Sequence, residues 1–232
     1  MSAATRYVVV DESSAPELKG GALVTMSADI QDAYDEDFAP AHGVLPVEIY
    51  VRHPSEVQPG ERVLHIVDSI PDAPGALAYH TVDERGNPVL RLGIEENRAQ
   101  GGALLDVLSE SISHEIFETA KNPFVNRYLD CGLDKKVADE VCDPAQGSPY
   151  RRGTTAIANF TLPAWSDAED AEGPYDFVTS QHGRTVLTKP FDCAPTGYLA
   201  FDDGTQSFGD KVSDLRKEAS IWARVPHKQA KT

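Results

Sequence analysis

The chain has little cysteine, no long apolar run and few basic residues for its length of 232 residues. The three cysteines, Cys131, Cys142 and Cys193, are an odd number without a Cys-x-x-Cys pair, which is typical of free thiols in a reducing compartment. No apolar stretch approaches the roughly 20 residues that a membrane-spanning helix needs. The N-terminus lacks a basic segment followed by an apolar one, so we expect no secretory signal and a cytoplasmic location.

Basic residues are also scarce, with 21 Lys and Arg against 37 Asp and Glu and a formal net charge of −16. A surface this acidic repels phosphate backbones and anionic lipids, which argues against nucleic-acid and membrane binding. Residues 210–232 reverse the balance, with six basic and three acidic side chains. A short basic tail on an acidic body is typical of a solvated end or a docking arm.

Strand and helix patterns alternate through the first half of the chain. Hydrophobic periodicity predicts strands at 6–10, 22–26, 47–52, 62–67, 77–82 and 89–94, and helices at 27–39 and about 97–121. The remainder is rich in Pro, Gly, Asp and aromatic residues, with short strand candidates at 155–160 and 185–188 and an amphipathic helix at 210–224. We therefore predict an α/β (α+β) fold in which a mixed sheet packs against a long helix. Residues 1–145 form this core, and 146–232 form an irregular C-terminal subdomain packed on it.

The segment of the long helix that is most suited to chemistry reads Ser-His-Glu-Ile-Phe-Glu over 113–118. His114 and Glu118 are four residues apart and project about 40° from one another, with Glu115 at the flank of the same face. An imidazole and a carboxylate one turn apart can bind a single divalent ion. A neighbouring carboxylate can take the proton of a metal-bound water and pass it to a leaving group.

This segment resembles the active helix of the zincin metallopeptidases, which carries His-Glu-x-x-His. Zincins also place a helix after an early strand, then a mixed sheet with an edge strand, and then the active helix. In the glutamate-type zincins the third ligand is a carboxylate some two dozen residues past the first histidine, and Glu140 lies 26 residues after His114. The resemblance implies that His114, Glu118 and Glu140 are metal ligands and that Glu115 is the general base. It covers roughly residues 20–145.

The chain departs from the zincin pattern at Glu118, which replaces the second motif histidine. One imidazole with two carboxylates is a harder and more anionic donor set than two imidazoles with one carboxylate. We expect zinc first, while manganese, iron and calcium also suit such a set.

Several alternatives stay open. Asp139, Cys142 and Asp143 compete with Glu140 for the third position. His80, near the end of a predicted strand, either supplies the missing imidazole or is a structural histidine. His114 and Glu118 also fit a hydrogen-bonded pair on a solvated helix face, without any metal.

Two functions follow from these patterns. The first is a metal-dependent, peptidase-like hydrolase that acts on a peptide or protein substrate, with Glu115 activating the metal-bound water. The second is a non-catalytic structural or interaction component on a degenerate zincin scaffold, for example in a phage particle or another assembly. The sequence leaves the oligomeric state open.

Overall fold

The computed structural model describes residues 4–73, 76–132, 134–170, 172–212 and 217. Its main element is a mixed sheet of five strands, which are β1 (Thr5–Asp11), β2 (Val47–Val51), β3 (Arg62–Val67), β4 (Ala78–Val82) and β5 (Pro88–Gly93). Their spatial order is β2-β1-β3-β5-β4; β4 alone runs antiparallel to its neighbour and forms one edge. The mixed sheet and the several helices confirm the predicted α+β class.

The described helices are α1 (Ala22–Ala33), α2 (Ala39–His42), α3 (Ile94–Ala99), α4 (Leu104–Lys121) and α5 (Phe177–His182). The apolar spacing on α4 predicts a buried stripe of Leu105, Leu108, Ile112 and Ile116. The last three are fully buried and pack against the sheet, whereas Leu105 is 38% exposed. Leu64 and Leu90 supply apolar side chains from the sheet to the same core. This packing points the opposite face of α4 toward the second half of the chain.

The second half builds three short antiparallel pairs, formed by β6 (Tyr128–Asp130) with β7 (Lys136–Ala138), β8 (Tyr150–Arg152) with β9 (Thr155–Ile157), and β10 (Tyr198–Ala200) with β11 (Gln206–Phe208). Strand β9 packs on α4 and α1, and Ile157, Phe160 and Phe177 belong to the main core. A second, smaller core gathers around Trp165. The second half therefore covers the helix face that carries the predicted site.

Three sequence predictions differ from the structure. The predicted strand at 22–26 is the start of α1, because Leu23, Met26 and Ile30 are buried at helical spacing. The predicted helix at 97–121 is interrupted before Leu104, where Gly101 and Gly102 have positive φ. Residues 185–188 form no strand, since backbone amides there donate to side chains of the Asp176 region.

The predicted helix at 210–224 falls almost entirely outside the described residues. Within the described part of the chain, no helix combines the length and the apolar character needed to cross a membrane.

Packing beneath α4 yields a stability prediction. Phe117 is fully buried and stacks on Phe38 with ring centroids 4.5 Å apart, whereas Phe124 just beyond the helix is 50% exposed. We expect Phe117→Ala to lower the free energy of unfolding by about 3–5 kcal/mol. The matched Phe124→Ala should change it by less than about 0.5 kcal/mol. Urea unfolding in the presence of a chelator measures both, and equal losses would contradict the packing described.

His42 yields a second prediction. Burial, and then the charge of Lys121, lower its pKa from 6.5 to about 4, so it is neutral in the native state at pH 5. The unfolded chain binds this proton near pH 6.5, so the free energy of unfolding falls as the pH drops from 6.5 toward 4. Relative to His42→Phe, the parent should lose on the order of 2 kcal/mol between pH 7 and pH 5. Urea titrations at both pH values test this, and parallel pH dependence in the two proteins would contradict it.

Candidate metal centre

Three parts of the fold bring titratable side chains together in the interior. The C-terminal half of α4 supplies three of them, the edge strand β4 supplies one, and the segment that follows β7 supplies two. All six side chains are at most 10% exposed, and we call them the buried cluster: His80, His114, Glu115, Glu118, Glu140 and Asp143.

His114 is the point where two carboxylates converge. Its Nε2 atom lies 3.1 Å from Glu118 Oε2 and 3.1 Å from Asp143 Oδ1. One imidazole nitrogen carries a single proton and can satisfy only one acceptor well. His114 and Glu118 do form the expected i,i+4 pair, but their side chains are 9% and 3% exposed, so the pair does not lie on a solvated face.

The two carboxylate oxygens of Glu118 have different partners, one in the backbone and the other in the buried cluster. Its Oε1 atom accepts hydrogen bonds from the backbone N–H groups of Cys142 and Asp143, at 3.0 and 3.1 Å. Its Oε2 atom faces His114 at 3.1 Å and His80 at 3.8 Å. The carboxylate therefore fastens the segment after β7 to α4 while it presents one oxygen to both imidazoles.

His80 reaches the cluster from the edge strand and lies between two carboxylates. Its Nδ1 atom lies 3.0 Å from Glu115 Oε2, and its Nε2 atom lies 3.4 Å from Glu140 Oε2. Neither His80 Nε2 nor Glu140 Oε2 makes a hydrogen bond within the described part of the chain, although both atoms are buried. Glu140 is held through its other oxygen, which accepts from Asn122 Nδ2 at 2.9 Å.

The cluster contains four carboxyl groups and two imidazoles. Burial lowers the pKa of His80, but the carboxylates of Glu140 and Glu115 outweigh this effect and raise the pKa to about 10. The pKa of His114 is likewise well above 6.5, because Glu118 and Asp143 outweigh its burial. Burial and neighbouring carboxylates raise the pKa values of Glu140 and Asp143. Without another cation, the cluster has to hold protons to offset its own charge.

No lysine or arginine of the described ranges forms an ion pair with these carboxylates. Among the described residues, the ion pairs of Glu115, Glu118, Glu140 and Asp143 are all with the two histidines. Buried carboxylates that are paired only with histidines suit a metal ion, because carboxylate oxygen and imidazole nitrogen are common metal donors. The residues present therefore fit a divalent cation.

The described residues contain two sets of three metal-donor residues, and within each set the donor atoms all lie within 4.8 Å of one another. One set comprises His114, Glu118 and Cys142, and the other comprises His80, Glu115 and Glu118. The pKa of the Cys142 thiol is raised by burial and by Glu118, so this thiol is neutral unless a metal deprotonates it.

The structure brings together all four predicted site residues. Of the alternatives for the third ligand, Asp143 contacts His114 directly, while Asp139 pairs with Arg127 at 3.2 Å instead. Glu140 contacts His80 rather than His114. The sequence leaves His80 open between a metal-site and a structural role, because a single sequence does not show that β4 lies beside α4.

A cavity of about 330 Å³ opens onto the cluster, and His114 and Glu115 form part of its lining. Its walls include Ala78 from β4 and Tyr198 from β10. The hydroxyl of Tyr198 also acts on the Asp143 carboxylate and lowers its pKa, against the larger effect of burial. The second half of the chain thus builds one wall of the opening above the cluster.

The anchoring by Glu118 predicts a difference between two variants. Glu118→Ala leaves two buried N–H groups without acceptors, at roughly 1–3 kcal/mol for each group, whereas the amide oxygen of Glu118→Gln can still accept from both. With a chelator present, Glu118→Ala should therefore be less stable than Glu118→Gln by about 2 kcal/mol or more. Urea unfolding measures the difference, and equal stability of the two variants would show that these hydrogen bonds do not hold the segment.

Comparison with known proteins identifies no relative of this chain. The chain matches no family model, no curated protein and no solved structure.

Proposed function

We propose that this protein is a metal-dependent, peptidase-like hydrolase whose active site is the buried cluster. The observation that carries the proposal is a buried excess of carboxylates around two imidazoles, with no lysine or arginine pairing them among the described residues, next to a cavity. The element order supports a zincin-like arrangement, because α1 follows the first strand of a mixed sheet with an antiparallel edge strand, and the helix that bears His-Glu-x-x-Glu comes after that sheet.

His114 and Glu118 are the first two ligands of the proposed ion. Asp143 is the best-placed third ligand, because its carboxylate and that of Glu118 lie at equal distances from the same nitrogen of His114. The Cys142 thiol belongs to the donor set of His114 and Glu118 and lies next to Asp143 in the chain. The zincin resemblance implies Glu140 as the third ligand, but this carboxylate contacts His80 rather than His114, so we assign to it the orientation of the His80 imidazole instead.

A divalent ion in this position supplies a Lewis acid that polarises a carbonyl and makes a neighbouring water more acidic. The donor set of one imidazole and two carboxylates accepts zinc and also harder ions such as manganese.

Glu115 is the proposed general base. It lines the cavity beside His114, and its Oε2 atom is held by His80 Nδ1 at 3.0 Å. A carboxylate in this position can accept the proton of the attacking water and deliver it to the leaving nitrogen. The hydrogen bond with His80 limits the orientations of Glu115 and so keeps it at the cavity.

The cavity lies within the size range of small-molecule sites, and it is bounded on one side by the edge strand. These features suit a segment of a peptide or protein better than an extended anionic polymer, since the chain has a net charge of −16.

Metal content tests the ligand assignment. We expect about one equivalent of zinc or manganese per chain after dialysis against a limiting supply, and its loss in His114→Ala and in Glu118→Gln. His65→Ala is the matched control, because His65 pairs with Glu12 at 2.8 Å outside the cluster. Elemental analysis by plasma mass spectrometry gives the result. A parent without metal, or metal retained in both ligand variants, would favour the non-catalytic alternative.

The role of Glu115 is tested separately. Glu115→Gln should keep the first metal equivalent while cleavage falls by roughly 10²–10⁴-fold. A peptide library analysed by mass spectrometry, with metal-loaded parent and chelator-treated parent as references, measures the loss. Unchanged cleavage in Glu115→Gln would remove Glu115 from the chemistry.

A further inference from the structure

The buried cluster contains two overlapping groups of metal donors rather than one. The donor sets of His114 and His80 share Glu118 and no other residue. An ion with bonds of about 2.1 Å can bind two donor atoms only when these atoms lie no more than roughly 4.2 Å apart. Each imidazole therefore belongs to its own potential ion position, with Glu118 between the two.

Only one oxygen of Glu118 is free to serve both positions. Its Oε1 atom already accepts from two backbone N–H groups, while Oε2 lies 3.1 Å from one imidazole and 3.8 Å from the other. A carboxylate oxygen held between two nitrogen donors is placed to bridge two cations.

The imidazole of His80 lies between carboxylates on both sides of its ring. Its Nδ1 atom points to Glu115 and Glu118, while the opposite nitrogen lies 3.4 Å from Glu140 with no hydrogen bond among the described residues. Metal-ligating histidines commonly donate their second N–H to a carboxylate, which fixes the tautomer. If the distance from Nε2 to Glu140 shortens to a hydrogen bond, the neutral imidazole carries its proton on Nε2. The lone pair of Nδ1 is then available to an ion.

The charge of the cluster also allows a second ion. Its four carboxylates carry four negative charges when ionised, and its two imidazoles carry none when they act as ligands. One divalent ion neutralises half of this charge and two neutralise all of it. Buried charge is stable only when it is compensated, so the second ion is electrostatically permitted.

From these observations we infer that His80, Glu115 and Glu118 form a second divalent-cation position, bridged through Glu118 to the position at His114. Glu140 orients His80 for this ion and is not required for the first.

Occupation of the second position has a consequence that rests on the proposed function. An ion bound to Glu115 occupies the carboxylate oxygen that would otherwise accept the proton of the attacking water. Glu115 then cannot act as the general base of the proposed reaction. Because such a base contributes roughly 10²–10⁴-fold, filling the second position should slow cleavage by about tenfold or more. Metal in excess would then inhibit the enzyme that one equivalent activates.

Manganese titration followed by electron paramagnetic resonance tests the second position on the unmodified full chain. We expect two equivalents to bind, with the second broadening the spectrum of the first because two ions that share one carboxylate lie only a few ångströms apart. This broadening separates the proposed position from ions bound at random to the acidic surface. Binding of a single equivalent, or a second one without magnetic coupling, overturns the inference and leaves the proposed function standing, whereas no binding at all overturns the proposed function.

Three variants locate the second ion. His80→Ala should lose the coupled second equivalent and the inhibition by excess metal while it keeps the first equivalent. Glu140→Gln, which retains the oxygen that Asn122 contacts, should weaken the second ion by about 10–100-fold without affecting the first. His65→Ala should behave as the parent, and circular dichroism of each variant verifies the fold. A coupled second ion that survives in both His80→Ala and Glu140→Gln contradicts the assignment.

Discussion

The carboxylate of Glu118 is the interaction on which the arrangement of the site depends. One of its oxygens accepts two backbone N–H groups of the segment after β7, and the other faces the imidazoles of His114 and His80. A helix, an edge strand and an irregular segment are thereby held around one side chain. The segment has little regular structure of its own, so its backbone groups need such an acceptor in the interior. The position of Asp143 follows from that anchoring.

The cost of burying this charge gives the site its chemical character. Carboxylates that cannot reach water stay ionised only beside a compensating cation. Here only histidines pair with them among the described residues, and histidines provide a positive charge only while they are protonated. The same side chains can exchange protons for a divalent ion, and neutral imidazole then becomes a donor. The cluster is therefore unlike a structural salt bridge, in which a lysine or an arginine supplies a permanent charge.

Much of the fold could be predicted from periodicity, because most strands of the sheet and the stripe on α4 have regular apolar spacing. The short apolar run at 22–26 was misassigned, since five residues fit a strand and a helix equally well and only burial across the whole of α1 decides. Within the site, the spacing on α4 indicated His114, Glu115 and Glu118. The sequence names His80 as one source of a second imidazole but does not decide its role, because the adjacency of β4 and α4 is a tertiary contact. The choice between Glu140 and Asp143 depends on an irregular segment for which sequence spacing gives no direction.

The departure at Glu118 from the zincin pattern also has a physical explanation in this fold. A histidine there would offer at most one ring nitrogen in each direction, and a single nitrogen could not accept from both Cys142 and Asp143 while facing two imidazoles. The glutamate does all of this with two oxygens that each accept more than one contact. The second imidazole comes from the edge strand instead of the helix, and it approaches the same oxygen from the other side. The chain thus has two imidazoles near one helix, and the glutamate at position 118 secures the segment after β7.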